Sequence, residues 1–346
     1  MDYGEEVFLK SALVLSTPDQ PLDIGIDFVT RIRAHLAILR IDHWAKNIFI
    51  LPGVVVPLSV SPISSGAALM WRLFMGTMAT CCIASSNYVL NEILDAPYDR
   101  LHPIKNKRPA ARGLVSVPVG YVQWLLLLVV GMVLAAQVSR PLMWILGTLW
   151  LMGYIYNVPP IRSKDIVYLD VLSESVNNPL RMLAGWYMVT TTMFPPASLL
   201  MSYWMIGGYL MALKRFSEFR EINDRARAEA YRKSFQRYSQ LSLLVSVMFY
   251  ASSSMLFLGA FVVRYRLELL LSFPFVALVM AIYFRLAFDE NSAAQNPESL
   301  HHHRALMASV TLCAVVMTAL MFVDMPALHR IFSPTMPPLA LSKSFH

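Results

Sequence analysis

The stretch "LMWRLFMGTMATCCIASSNYVLNEILDAPYDRLHPIKNKRPA" (residues 69–110) decides the class of fold. Its first 22 residues carry a single charge, Arg72, and as a helix they can cross the roughly 30 Å of hydrocarbon in a bilayer. The last 20 residues carry three acids and four bases. Because ionisable groups are costly at membrane depth, we expect this charge to mark functional groups at one end of a spanning helix.

The rest of the chain shares this apolar character. Of its 346 residues, 56% are hydrophobic and 15% are charged, whereas a soluble domain carries roughly a quarter charged residues. The sequence therefore predicts an all-α polytopic membrane protein with about nine transmembrane helices. The predicted spans cover residues 47–61, 68–90, 119–138, 142–157, 171–190, 197–213, 241–262, 268–288 and 305–324. Residues 1–30 would form a flexible cytosolic N-terminus, 31–325 the transmembrane domain and 326–346 a C-terminal tail.

The distribution of Lys and Arg predicts the orientation of the spans. Of the 29 Lys and Arg residues, 22 precede the first span or follow even-numbered spans, and six lie on the opposite side. The positive-inside rule then places the N-terminus and the even-numbered loops in the cytosol. We attribute the net charge of +7 to this bias and to anionic substrates, and we expect no nucleic-acid partner.

Three polar residues after the second span share one helix face. Asn91, Asp95 and Asp99 stand at i, i+4 and i+8, so each step rotates by only about 40°. The helix is expected to end near Pro97, which would leave Asp99 at the helix end or in the loop beyond. Two carboxylates and an amide oxygen suit Mg²⁺, which usually binds through one or two carboxylates and substrate phosphates. The bases that follow at once would supply counter-charge for a diphosphate.

This motif resembles the first aspartate-rich motif of the UbiA superfamily of membrane prenyltransferases, N-x-x-x-D-x-x-x-D after the second span. Within that superfamily, three stretches are similar to the polyprenyl-phosphate phosphoribosyltransferase branch (decaprenyl-phosphate type). They are "DRLHPIKNKRPAARG" (99–113), "DHWAKNIFILPGV" (42–54) and "ALKRFSEF" (212–219). The resemblance implies a UbiA-type bundle with a cytosol-facing cavity, dependence on Mg²⁺, a diphosphate donor and a polyprenyl lipid acceptor. It also implies a multi-pass transferase of the bacterial inner membrane.

The resemblance also implies roles for individual residues. Asp95 and Asp99 would be catalytic and would hold Mg²⁺ together with Asn91. Phosphates of the donor would contact four bases, Lys105, Arg108, Arg162 and Lys164. The acceptor phosphate would contact Lys214 and Arg215, and the remaining substrate contacts are assigned to Lys46, Asp170 and Glu218.

Residue chemistry alone leaves alternatives open for several of these assignments. Arg162 and Lys164 could serve only as topology signals, and Lys46 could be an interfacial lysine that snorkels to the membrane surface. Asp170 and Glu174 could form an internal pair with Arg181 rather than a substrate site.

The position after the sixth span separates the candidate functions. Superfamily members that bind an isoprenyl diphosphate typically carry a second D-x-x-x-D there, whereas this chain has Lys214, Arg215 and Glu218. Cations at this point favour a phosphorylated acceptor, and thus phosphoribose transfer to a polyprenyl phosphate. Glu218, Glu221 and Asp224 could still form a degenerate acidic motif, as in a prenyltransferase for an aromatic acceptor. A lipid transporter is the third possibility. Transporters commonly show repeated halves with broken helices, and the sequence shows no convincing repeat of this kind.

Overall fold

The computed structural model describes residues 27–60, 66–100, 105–222, 229, 232–289, 292–295, 300 and 302–333. The predictions for residues 1–26 and 334–346, and for Asp224, fall outside the described residues. Within the described residues all regular structure is helical, which confirms the predicted fold class. The helices are α1 (Phe28–Ala37), α2 (Leu51–Val60), α3 (Gly66–Asp99), α4 (Val117–Val138), α5 (Arg140–Asn157), α6 (Leu169–Ser175), α7 (Asn177–Val189), α8 (Ala197–Ile222), α9 (Gln240–Tyr265), α10 (Phe273–Leu286), α11 (Arg304–Phe322) and α12 (Pro326–Ile331).

The helices long and apolar enough to cross a membrane number six within the described part of the chain. They cover Phe28–Val60, Gly66–Asp99, Val117–Val138, Gln240–Tyr265, Leu267–Leu286 and Arg304–Phe322. The total of nine spans therefore stays a prediction. Two predicted spans are interrupted. The first combines a 3₁₀ segment, Ile41–Ile50, with α2, and the fifth is divided into α6 and α7 at Val176.

The predicted end of α3 near Pro97, with Asp99 at the helix end, is confirmed. The helix continues to Asp99, and the Arg100 amide still donates to the Ala96 carbonyl over 3.2 Å. A proline removes only its own amide donor, and near a helix terminus that loss concerns a single bond. Asp99 is consequently the last helical residue, and Asn91, Asp95 and Asp99 remain on one continuous helix.

Small residues allow the helices around the motif to approach closely. A Cβ atom on Gly153 of α5 would lie 2.2 Å from the Asn87 Cγ of α3, and one on Gly53 would lie 1.8 Å from the Met182 carbonyl oxygen of α7. Membrane helices use small residues in this way, because close packing replaces the hydrophobic effect between them. These contacts hold α3 against α5 and α2 against α7, and residues of α3, α5 and α7 line one space.

Two apolar clusters flank that space. One packs α2, α3, α5 and α7 together around Ile83, Leu146 and Met188, and the other joins α8, α9 and α10 around Phe216 and Tyr250. The polar ends of α3, α5, α6 and α8 lie between the two clusters. The fold thus gathers the charged segments of the sequence between apolar walls.

Candidate active site

A cavity of about 310 Å³ lies between the charged ends of these helices. The acids on its wall are Asp95, Glu174 and Glu218. Nine bases from the described residues line it: Arg40, Lys46, Lys105, Arg108, Lys164, Arg181, Lys214, Arg215 and Arg232. The excess of bases over acids makes the cavity a receptor for anionic groups, since phosphates are bound by Lys and Arg through charge-assisted hydrogen bonds.

Asp95 of the α3 motif contacts the loop that follows α5. Its Oδ1 accepts from Lys164 Nζ over 2.5 Å and from Arg162 Nη2 over 3.1 Å. Its Oδ2 accepts from Asn91 Nδ2 over 3.1 Å. The helical spacing of Asn91 and Asp95 therefore yields a direct contact, and two bases more than 60 residues away complete it.

Asn157, the last residue of α5, joins both sides of this network. Its Oδ1 accepts from Asn91 Nδ2 over 2.6 Å and from Lys164 Nζ over 2.9 Å, and its own amide donates to the Gly153 carbonyl. Sequence patterns do not single out Asn157. The only signal is an amide at the end of an otherwise apolar helix.

The loop residues Lys164 and Arg162 differ in their access to the cavity. Lys164 is buried and lines the cavity wall, and burial lowers its pKa to about 8, although Asp95 opposes the shift. The Arg162 guanidinium instead lies 4.8 Å from the Tyr98 ring centroid and 3.2 Å from Asp165. Of these two predicted donor contacts, the structure brings Lys164 to the cavity and keeps Arg162 behind Asp95.

Asp99 is turned away from the cavity that the described residues form. Its Oδ2 accepts from Arg108 Nη1 over 2.7 Å, and Arg108 in turn lines the cavity. Burial disfavours the charge on Arg108, but Asp99 and Glu92 outweigh it, so the pKa of Arg108 stands above its ordinary value. Asp99 thus orients a base of the cavity wall in this arrangement.

The donor set near Asp95 fits Mg²⁺ only when substrate supplies most of the ligands. One carboxylate and one amide, Asp95 and Asn91, face the cavity, and a second carboxylate lies one helical turn beyond. The described residues contain no group of three His, Cys, Asp or Glu side chains that could enclose a metal. Mg²⁺ commonly keeps waters and binds through one or two carboxylates plus phosphates, so this set suits it.

Arg215 organises the opposite side of the cavity. Its side chain is 1% exposed and pairs with Glu174 over 2.6 Å, with Glu218 over 2.9 Å and with Asp170 over 3.3 Å. Asp170 is fully buried, accepts from the Tyr238 hydroxyl over 2.8 Å, and lies behind Arg215 rather than on the cavity wall. Asp170 is therefore placed to fix Arg215.

The alternative pairing of Asp170 and Glu174 with Arg181 is wrong. Arg181 Nε donates to Asn47 Oδ1 over 3.1 Å, and the partner of both acids is Arg215. The sequence separation of about one helical turn in α6 correctly puts the two acids on one face. It does not reveal which of the nearby bases lies opposite that face.

The remaining predicted substrate residues lie on the cavity wall. Lys214 Nζ is 4.0 Å from Glu174 Oε1, and Lys46 Nζ lies 5.8 Å from the Tyr88 ring centroid. Lys105 and Glu218 also line the cavity. The Glu221 carboxylate, by contrast, accepts a hydrogen bond from the Gln295 amide outside the cavity. The wall near α8 thus combines one acid, Glu218, with the partly exposed Lys214.

Comparison with known sequences decides the family. The model of the UbiA prenyltransferase family matches residues 49–309, which is most of the chain. This chain belongs to the UbiA prenyltransferase family. As a UbiA-family member with several membrane-spanning helices, it is an integral membrane protein.

Individual relatives of this UbiA-family protein match part of their own length. Nodulation protein NoeC of Azorhizobium caulinodans is 30% identical over 57% of this chain and 61% of its own. Decaprenyl-phosphate phosphoribosyltransferase of Mycolicibacterium smegmatis is 24% identical over 58% of this chain and 61% of its own. The chain therefore spans about three-fifths of the length of these curated relatives.

A solved structure shows the same fold. The UbiA homolog from Archaeoglobus fulgidus bound to DMAPP and Mg²⁺ superposes with a TM-score of 0.63 at 16% identity. The match covers 82% of this UbiA-family chain and 99% of the A. fulgidus chain. The predicted UbiA-type bundle is confirmed.

Proposed function

We propose that this UbiA-family protein transfers phosphoribose from phosphoribosyl diphosphate to a polyprenyl phosphate in a Mg²⁺-dependent reaction. The observation that carries the proposal is the charge of the cavity, where nine bases face three acids. Two phosphate-bearing substrates need this many cations, whereas a neutral aromatic acceptor needs none on its side. The similarity to decaprenyl-phosphate phosphoribosyltransferase supports the same substrate pair.

The proposed reaction is a displacement at the anomeric carbon of ribose. An oxygen of the acceptor phosphate forms the new bond to that carbon, and the bond from carbon to diphosphate breaks, so diphosphate leaves with the electron pair. A phosphate anion needs no general base, because the attacking oxygen carries no proton. When bound, Mg²⁺ would neutralise the leaving diphosphate, held by Asn91, Asp95 and, after a side-chain rearrangement, Asp99.

The chain's own residues would position the two substrates from opposite walls. Lys105, Arg108 and Lys164 lie near the aspartate motif and would bind the diphosphate of the donor. Arg162 would hold Asp95 in place beside them. The apolar clusters on both sides exclude water, which strengthens these charge interactions and limits hydrolysis of the donor.

The wall near α8 would bind the acceptor. Lys214 and Lys46 would contact the acceptor phosphate. Arg215 is already neutralised by its three carboxylates, so its proposed role is to fix Glu174 and Glu218 and to offset their negative charge beside that phosphate. The 22-to-6 distribution of Lys and Arg supports a cavity that opens to the cytosol. The similarity to bacterial relatives supports a bacterial inner membrane.

The test is an assay of the purified, reconstituted protein with both donor classes. We expect diphosphate release with Mg²⁺, phosphoribosyl diphosphate and decaprenyl phosphate, and a lipid product that contains ribose. Release with an isoprenyl diphosphate and an aromatic acceptor, and none with phosphoribosyl diphosphate, would overturn the proposal.

Prenyl transfer is the second candidate, and Glu218 favours it. This acid lines the cavity within the segment after the sixth predicted span, and Glu174 lies nearby on the other side of Arg215. The fold neighbour from A. fulgidus binds DMAPP and Mg²⁺. If Glu218 serves a second Mg²⁺ here, Glu218→Gln abolishes turnover with an isoprenyl diphosphate, while substitution of Lys214 has little effect.

A further inference from the structure

A second concavity lies beside the cavity, and we call it the α1 groove. Its volume is about 540 Å³. Arg40 and Arg108 line both the groove and the cavity, so the two spaces share a wall of two guanidinium groups. The charged residues on its wall are three bases, Arg33, Arg40 and Arg108, and two acids, Asp42 and Glu92.

Both acids of the groove wall lie against Arg40. Asp42 Oδ1 is 3.7 Å from Arg40 Nε. Glu92 is 2% exposed, with its carboxylate 3.9 Å from Arg40 Nη1 and 3.5 Å from the Ala110 amide. The two acids therefore offset the charge of Arg40. Arg33 is exposed on α1 and forms no ion pair with another residue in the described ranges. Arg33 thus keeps its charge at the groove, and a guanidinium there is suited to a phosphate oxygen.

The other property of the groove is its apolar rim. Phe28, Ile32 and Leu36 stand one turn apart on α1 and are 74%, 44% and 55% exposed, while Ala34 and Ile38 are buried in the cluster that also contains Val89 and Ile93 of α3. A short helix with an exposed apolar row and nearby bases is suited to the interface of a membrane. Leu36 belongs both to this row and to the groove wall. The groove therefore adjoins the region where lipid head groups lie.

We propose that the α1 groove is an access site for the phosphate head group of a membrane-borne polyprenyl phosphate. The head group contacts Arg33 at the mouth and then moves across the shared wall of Arg40 and Arg108 into the cavity. The polyprenyl chain stays along Leu36 and Ile41 in the lipid phase. A lipid phosphate fits better than a soluble one, because four of the nine wall residues are apolar and one of them, Leu36, also belongs to the exposed row on α1. The role of this lipid as acceptor rests on the proposed function, whereas its binding in the groove does not.

Photolabelling tests the binding directly. The full-length protein is placed in nanodiscs of zwitterionic lipid with a polyprenyl phosphate that carries a photoreactive group near the phosphate. We expect labels on residues 33–42. One arginine near a membrane surface contributes about 1 kcal/mol to binding of an anionic lipid, so Arg33→Glu should lower this labelling about fivefold or more.

The matched control is Arg31→Glu, which makes the same charge change two residues away on α1 but outside the groove wall. Labelling in this variant should stay close to that of the unchanged protein. Equal losses in both variants would mean general attraction of the helix to the surface and would overturn the proposal. Complete protection by inorganic phosphate, but not by the unlabelled lipid phosphate, would also overturn it, since the groove would then bind a soluble anion.

Kinetics distinguish a failure of this inference from a failure of the proposed function. Arg33→Ala should raise the KM for the lipid acceptor about fivefold, with the donor KM and kcat unchanged, and Arg33→Lys should restore most of the loss. Labelling of the groove without any phosphoribose transfer would support the access site and refute the proposed reaction. Transfer at normal rates without labels on residues 33–42 would refute the access site alone.

Discussion

Replacing Lys214 with methionine isolates the proposed contact to the acceptor phosphate. The Lys214 side chain is 18% exposed on the cavity wall, and its nearest acid, Glu174 Oε1, is 4.0 Å away. Glu174 therefore offsets the charge of Lys214 only in part, and the ammonium can bind a substrate anion. A hydrogen bond to a charged group contributes about 1.5–3 kcal/mol, and the partial exposure favours the lower half of that range. We expect a loss of about tenfold to thirtyfold in kcat/KM for the acceptor.

Arg215→Met should behave differently, although the two residues are adjacent. The Arg215 guanidinium is buried among Asp170, Glu174 and Glu218, so its removal leaves carboxylates uncompensated in an apolar setting. Loss of one partner from a buried ion pair costs about 3–5 kcal/mol of folding stability. We therefore expect a lower melting temperature in detergent for Arg215→Met and an unchanged one for Lys214→Met.

The assay measures initial rates of diphosphate release while the donor and the lipid acceptor are varied separately. Lys214→Met should raise the acceptor KM or lower acceptor kcat/KM, with donor KM nearly intact, and Glu218→Gln serves as the acidic counterpart. An unchanged acceptor kcat/KM in Lys214→Met, together with a dead Glu218→Gln enzyme, would refute the reasoning and favour prenyl transfer. A folded and fully active Arg215→Met would refute its assignment as the fixed centre of the acidic cluster.

Three further predictions concern the aspartate motif, its amide partner and the topology. Asp95→Ala and Asp99→Ala should each abolish turnover in protein that still folds in detergent, as should EDTA; full activity in any of these would contradict the metal assignment. Asn157→Leu removes the oxygen shared by Asn91 and Lys164 and should lower donor kcat/KM about fivefold to 150-fold, which corresponds to about 1–3 kcal/mol, whereas Asn157→Asp should retain more activity. In intact cells, single cysteines introduced within residues 105–112 and 232–237 should be protected from an impermeant thiol reagent and one within 326–333 labelled; the reverse pattern would invert the orientation.

Much of the fold follows from local properties of the sequence. Apolar length predicts where helices cross the membrane, because each span must satisfy its own backbone hydrogen bonds. The interruptions near Ile50 and Val176 were harder to predict, since 3₁₀ segments and short breaks depend on what packs against them. The continuation of α3 past Pro97 likewise depends on its terminal position rather than on the residue type.

In the candidate site, too, some contacts follow from local spacing and others depend on the tertiary structure. Spacing by four residues is sufficient to join Asn91 to Asp95, because a helix places such residues on one face whatever surrounds it. The same spacing gives no indication that Asp99 turns to Arg108 or that Asp170 lies behind Arg215. Those contacts depend on the neighbours that the helix face meets.

By itself, then, the sequence determined the membrane-spanning helical class and the face of α3 that carries the motif, and it predicts which side of the membrane carries most of the bases. Only the tertiary structure decided that Asn157 and Lys164 complete the environment of Asp95, and that Arg215 is neutralised while Lys214 lines the cavity. The physical reason is the distance along the chain over which each effect acts. Hydropathy and helical periodicity act over a few turns, whereas the partners of a buried charge come from helices far apart in the chain, and close packing selects among them.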